Sequence, residues 1–274
     1  MAPLDLANTS WLEALREAQL KTVGRFEVYH DFRFVDRIAD SRITFQHRIV
    51  SDAGRTYKGV HYDHGNGLAV ADVDGDGLLD VYFTTQVGSN QLWHNLGGGR
   101  FEDWTERAGV GMANKISVTA SFADIDNDGD PDLYVTTVRG GNFLFENDGH
   151  GRFRDISAAS GLNYVGHSSG AVFFDYNRDG LLDLFLVNVG KYTTDEIGGD
   201  GYRYYVGIAQ DAFFSHRFPV LDEQSILFRN EGGNRFVDVS AEVGLQDKIF
   251  RTRGGPGTRL RSTSMGTAGP IFTC

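Results

Sequence analysis

Aspartates at relative positions one, three, five and nine of a short stretch, with glycine at six, make a set of oxygen donors suited to a single hard cation. The chain carries this figure as Asp72-Val-Asp74-Gly-Asp76-Gly77-Leu78-Leu-Asp80 and again as Asp124-Ile-Asp126-Asn-Asp128-Gly129-Asp130-Pro-Asp132. A third copy, Asp175-Tyr-Asn177-Arg-Asp179-Gly180-Leu181-Leu-Asp183, places asparagine at position three. Calcium accepts roughly six to eight oxygens in irregular geometry, and short side chains on alternate residues of a tight loop can converge on one point. Position seven would add a main-chain carbonyl, from Leu78, Asp130 or Leu181, and position nine closes the shell with a further carboxylate. Glycine at six permits the sharp turn, because it takes positive φ without a Cβ clash. About three calcium sites are therefore expected, from Asp72, Asp74, Asp76, Leu78 and Asp80, from Asp124, Asp126, Asp128, Asp130 and Asp132, and from Asp175, Asn177, Asp179, Leu181 and Asp183. The third is expected to be the weakest, since Asn177 offers a neutral oxygen. The plainer alternative is an acidic surface turn that holds no ion.

An EF-hand is the nearest rival for such a loop, but it needs glutamate at its twelfth position and a helix on either side. Phe83, Val135 and Leu186 stand there instead. The flanks, Leu68-Ala-Val-Ala71 and Asp80-Val-Tyr-Phe-Thr-Thr85, are short β-branched and aromatic runs that read as strands. Each loop thus joins two strands of one sheet.

The elements that position the loops repeat with them. Asp72, Asp124 and Asp175 lie 52 and 51 residues apart. Arg100-Phe-Glu-Asp, Arg152-Phe-Arg-Asp and Arg235-Phe-Val-Asp recur downstream of the loops, and Arg33-Phe-Val-Asp precedes the first. One unit parses into four strands, Gly67–Ala71, Asp80–Thr85, Gln91–Asn95 and Phe101–Thr105. A four-stranded sheet repeated about every fifty residues is a propeller blade. The fold expected is all-β, a partial β-propeller of the integrin-α type with about three four-stranded blades and a short N-terminal helix.

The expected organisation is a helix or linker over 1–32, repeats over 33–247 with blades near 67–109, 118–161 and 169–244, and an aberrant tail over 248–274. Within 9–30, Ser10 and Glu13 make a capping box ahead of Trp11, Leu12, Leu15 and Ala18 on one face. Residues 33–39 read as a closing fourth strand, and Phe34, Phe101, Phe153 and Phe236 as core residues between blades. An insertion over 191–225 carries many aromatics and the ionisable Asp195, Glu196, Asp200 and His216. It reads as a lid, with an aromatic platform for a sugar or protein partner as the sharper alternative. His61, Asp63 and His64 are held as local hydrogen-bonding residues, because a zinc site also needs a supporting second shell.

Net charge of −11 argues against nucleic acid as a partner. A single cysteine, Cys274, excludes an intrachain disulfide. No apolar run approaches the ~18 residues of a membrane span, and no signal peptide is visible at the N-terminus. After Asp247 no acidic residue occurs. If the reading frame has slipped near Lys248, the codons of residues 263–274 are compatible with a fourth aspartate loop followed by its strand. The alternative is a disordered basic tail.

The loops DVDGDGLLD and DIDNDGDPD, followed by LWHNLGGGRFEDWTERAGV and LFENDGHGRFRDISAASGL, resemble FG-GAP/VCBS repeats. The lead-in ITFQHRIVSDAGRTYKGVHYDHGNGLAVADVDGDG resembles the bacterial cartilage-acidic-protein-like family associated with the ASPIC/UnbV domain, with that domain not visible here. The resemblance implies a calcium-binding, extracellular or periplasmic propeller that acts as a binding, adhesion or scaffold module toward a protein or carbohydrate ligand. A propeller-fold enzyme acting on carbohydrate, with acids supplied by the insertion, or a lectin-like glycan binder, is the alternative.

Overall fold

Strand propensity and turn chemistry alternate through the repeats, and the fold follows them. The computed structural model describes residues 10–25, 33–49, 67–189 and 223–245. The chain divides into two units, Met1–Ala39 and Asp40–Cys274. The first holds helix α1, Ser10–Thr22, followed by a 3-10 turn at Val23–Arg25. Within the 9–30 reading the α-helix gives way to the 3-10 turn at Val23, and Leu15 and Leu20 of the helix are exposed. A helical turn, α2, spans Ile38–Ser41, opened by Asp36, whose carboxylate accepts the Ile38 N–H at 2.9 Å.

Among the described residues the second unit contains three antiparallel four-stranded sheets. The first is β1 Leu68–Ala71, β2 Asp80–Phe83, β3 Gln91–Asn95 and β4 Phe101–Asp103. The second is β5 Ser117–Ala123, β6 Asp132–Thr137, β7 Phe143–Asn147 and β8 Phe153–Asp155. The third is β9 Ser168–Phe174, β10 Asp183–Asn188, β11 Ile226–Asn230 and β12 Phe236–Asp238. Each is a meander with sequential neighbours paired. This is an all-β, partial propeller-like fold with a short N-terminal helix.

Side chains alternate across a strand, and here neighbouring sheets meet through the faces they turn to one another. Ala69 and Ala71 of β1 pack with Ala120 and Phe122 of β5 around Tyr82, Leu92, Leu133 and Phe145. Ala123 meets Ala171 and Phe173 of β9 in a second core with Tyr134, Leu144, Leu184 and Phe228. The middle sheet has neighbours on both faces, so every residue of β6 is buried. Small residues at the contact let the sheets approach closely, in the manner of packed sheets generally.

Two expectations are corrected. Residues 33–39 form no strand: 33–37 are irregular, Ile38 begins α2, and Phe34 is 95% exposed. Among the described residues each of the three sheets takes all four strands from its own repeat, so none of them is left for Arg33-Phe-Val-Asp to complete. The fourth strands end at Asp103 and Asp155 rather than two residues later, because helical turns α3 Thr105–Ala108 and α4 Ser157–Ser160 follow at once. Asp103 and Asp155 accept the N–H two residues on, of Thr105 and Ser157, which stops the strand and starts the turn. Of the repeat phenylalanines, Phe236 is core, and Phe153 packs against the first core half-buried. Residues 61–66, 191–222 and 246–274, with Asp195, Glu196, Asp200, His216 and the tail, lie outside the described residues.

Candidate metal centres

The β1–β2, β5–β6 and β9–β10 connections are the three aspartate loops, and they fold alike. In the first, Asp72 accepts the N–H groups of Gly75, Asp76 and Gly77 at 2.9, 3.1 and 2.8 Å. In the second, Asp124 accepts those of Asp128 and Gly129, both at 3.1 Å. In the third, Asp175 accepts Arg178, Asp179 and Gly180 at 2.6, 3.1 and 3.0 Å. The position-one carboxylate therefore winds its loop. Position five braces the exit: Asp76, Asp128 and Asp179 accept the N–H of Leu78, Asp130 and Leu181. Gly77, Gly129 and Gly180 have φ of 85°, 97° and 87°, as the turn demands.

Position nine is the deepest. Asp80, Asp132 and Asp183 are 0%, 3% and 0% exposed. One oxygen of each accepts the N–H of loop position two, from Val73, Ile125 and Tyr176. The other accepts the N–H of the last residue of the third strand, from Asn95, Asn147 and Asn230. These carboxylates hold loop, second strand and third strand together.

Position three differs. Oδ1 of Asp74 and Oδ1 of Asp126 are both buried and have no hydrogen-bond partner. Oxygens of Asp72, Asp74 and Asp80 lie within 4.8 Å of one another, as do those of Asp124, Asp126 and Asp132. A buried carboxylate oxygen without a donor is costly, and two at the same place in two repeats mark where a cation fits. The third loop assembles no such trio of ionisable ligands among the described residues. There the Asn177 amide donates to Asp179 at 2.7 Å.

The electrostatics agree with crowded carboxylates. Burial above all, with the Asp126 and Asp128 charges adding to it, pushes Asp132 up to about 7 against the opposing N–H bonds from Asn147 and Ile125. Burial likewise raises Asp80, Asp126 and Asp183. Exposed Asp179 is lowered instead, first by the Leu181 N–H and then by Asn177.

A feature the spacing does not reveal surrounds the first loop. Nδ1 of His94 lies 3.0 Å from Asp80 and 3.7 Å from Asp74. Its ring stacks on Trp104 at 3.6 Å, and the Arg107 guanidinium sits 3.5 Å from the same ring centroid. Groups so close cannot share one face, so Trp104 is sandwiched between them. Glu146 and Arg229 occupy the corresponding place before Asn147 and Asn230. The loops share a backbone design and differ in the charge beside it.

Residues 72–135 and 124–186 match the FG-GAP-like repeat, so the chain carries repeats of this kind. Three relatives, each a cartilage acidic protein 1, are 28% identical to it. The match to the Mus musculus protein covers 47% of this chain and 20% of that protein, and the Homo sapiens match covers the same shares. The Xenopus tropicalis match covers 60% and 29%. The chain thus spans less than a third of the length of these relatives. A solved structure of an Agrocybe aegerita lectin, described as recognising non-reducing terminal N-acetylglucosamine, is 19% identical over 62% of this chain and 36% of its own, with a TM-score of 0.33. That likeness carries no argument. No helix among the described residues is long and apolar enough to cross a membrane.

Proposed function

We propose that the chain is a calcium-binding propeller segment of an extracellular or periplasmic binding, adhesion or scaffold protein. The observation that carries this reading is the pair of buried, unpartnered oxygens at Asp74 and Asp126, each inside a converging carboxylate trio. Carboxylate and carbonyl oxygens suit a hard divalent ion. Asp72, Asp74, Asp76 and Asp80 would hold the first ion, and Asp124, Asp126, Asp128 and Asp132 the second, with Leu78 and Asp130 offering carbonyls. Asp175, Asn177, Asp179, Asp183 and the Leu181 carbonyl make the third and weakest set. The bound charge would offset carboxylate repulsion and stiffen the joint between the first two strands of each blade. A ligand or partner, protein or carbohydrate, would then be met by a rigid surface.

Calorimetric titration with calcium, paired with thermal melts in calcium and in chelator, tests the proposal. Saturable heat and a melting temperature raised by calcium are expected. Identical melts in the two buffers would remove the calcium reading.

A further inference from the structure

Two asparagines do more than end their strands. Asn147, 5% exposed, donates from Nδ2 to Pro131 O of its own loop at 3.2 Å and to Val73 O of the preceding sheet's loop at 3.0 Å. Asn230, 2% exposed, repeats this one sheet on, donating to Leu182 O at 3.1 Å and to Ile125 O at 2.7 Å. Val73 and Ile125 are position two of their loops, and their N–H groups are held by Asp80 and Asp132.

The bonds join into one buried line. Asp183 accepts Asn230 N at 2.9 Å, and Asn230 Nδ2 binds Ile125 O. Ile125 N binds Asp132 at 3.2 Å, and Asp132 also accepts Asn147 N at 2.8 Å. Asn147 Nδ2 then binds Val73 O, and Val73 N binds Asp80 at 3.0 Å. The position-nine carboxylates of all three loops are therefore linked through two asparagines, Asn147 and Asn230, and two loop residues, Val73 and Ile125. Every residue on the line is buried. In such surroundings hydrogen bonds polarise one another and tolerate little misplacement.

We infer that Asn147 and Asn230 are cross-sheet positioning residues that couple the cation loops, so that an ion in one loop pre-orders the position-nine carboxylate of the loop before it. This rests on the calcium reading above. An ion in the second loop fixes Asp132, Asp132 fixes the Asn147 backbone, and the Asn147 amide fixes the carbonyl of Val73, the residue whose N–H Asp80 accepts. Asn95 is the internal control. It has the same place in the first sheet, yet its Nδ2 reaches Leu79 O of its own loop.

The first loop has a tryptophan stacked beside its ligands. Trp104 stacks on His94, which touches Asp74 and Asp80. Terbium bound there is sensitised by tryptophan, and Trp93 lies in the same sheet. The remaining tryptophan, Trp11, is removed as Trp11→Phe throughout. Asp126→Asn gives the second loop the weaker donor set of the third and lowers its occupancy while the first is titrated. Coupling of the usual size predicts that first-loop affinity falls about fivefold or more. The fall should vanish in Asn147→Ala and persist in Asn95→Ala. Asn147→Asp runs in parallel. It keeps the side-chain shape and the main-chain bond to Asp132 but removes the amide donors, and circular dichroism checks the fold of each variant. A fall of equal size with and without the Asn147 amide, or no fall at all, overturns the inference. Failure of the parent protein to bind terbium or calcium would instead refute the calcium reading itself.

Discussion

The hydroxyl of Tyr82 donates to the carbonyl of Val110 at 2.8 Å, and both residues are fully buried. The same hydroxyl accepts Asn90 Nδ2 at 2.9 Å. Tyr134 repeats the bond to Leu162 O at 3.1 Å. These bonds tie the middle of the second strand in the first two sheets to the segment that leaves the sheet. Burial raises both tyrosines above the usual phenol range, so they remain donors in alkaline solution. Tyr82→Phe keeps the ring and strands a buried carbonyl. It should cost about 1–3 kcal/mol of stability, the usual penalty for such an orphan, measured by urea denaturation. A loss much below that range would mean that Val110 finds another donor.

The carboxylates of one loop should separate into two kinds. Asp132→Ala leaves the N–H groups of Ile125 and Asn147 without their acceptor, at about 1–3 kcal/mol each. That loss is expected in chelator, where no ion contributes. Asp126→Asn alters a carboxylate whose Oδ1 has no partner, with Asn234 and the Asp128 N–H its remaining contacts. Its effect in chelator should be under about 1 kcal/mol, typical of substitutions away from the core network, while calcium affinity at that loop falls by about tenfold, since carboxylate count tunes such sites. Paired urea melts and calcium titrations check the contrast. Equal destabilisation by the two would show that both serve only the fold.

How much of this was legible beforehand varies with the range of the interaction. The loops, the β3 boundaries and the four-strand period depend on local pattern and could be read directly. Spacing also marked Asp80, Asp132 and Asp183 as candidate ligands. It could not reveal their second task, because the N–H that each accepts comes from the end of another strand. The asparagine that closes Gln91–Asn95, Phe143–Asn147 and Ile226–Asn230 recurs plainly. Its partner, Val73 for Asn147, lies 74 residues away, so only packing discloses the role. Phe34 failed in the opposite way. Its motif copies that of Phe101, but a strand also needs a neighbour, and motif identity supplies none. His94 carried no signal, since Glu146 and Arg229 replace it in the other repeats.

Cation binding and acidity should oppose one another. Asp132 sits at about 7, above the ordinary carboxylate value of about 4. A folded-state pKa above the unfolded one gives stability that is complete below pH ~4 and is lost as pH rises through about 7. In chelator the protein should therefore melt lower at pH 8 than at pH 5. Asp80, Asp126 and Asp183 shift the same way and reinforce the trend. Calcium needs the ionised forms, so its stabilising effect should grow over the same interval. Melts at pH 5 and 8, with and without calcium, test both signs. A calcium increment that is larger at pH 5 would contradict the assignment of these carboxylates.

Asn177 is where the third loop departs from the other two, and a single substitution can reverse that. Its amide donates to Asp179 at 2.7 Å, which binds positions three and five to each other. Asn177→Asp removes the donor and sets a carboxylate beside Asp179 and Asp175, restoring the donor set of the first two loops. Without cation, like charges then face one another, so the variant should melt below the parent in chelator. With calcium the added charge should raise third-loop affinity by about tenfold, since carboxylate count tunes such sites. The variant should then melt at or above the parent. This crossing of the two melting temperatures is the diagnostic result, because a merely disruptive substitution lowers both. Calorimetry should show the gain confined to one site. If the variant melted lower in both buffers and bound no more calcium, the third loop would be a turn held by Asn177 rather than a weakened cation site.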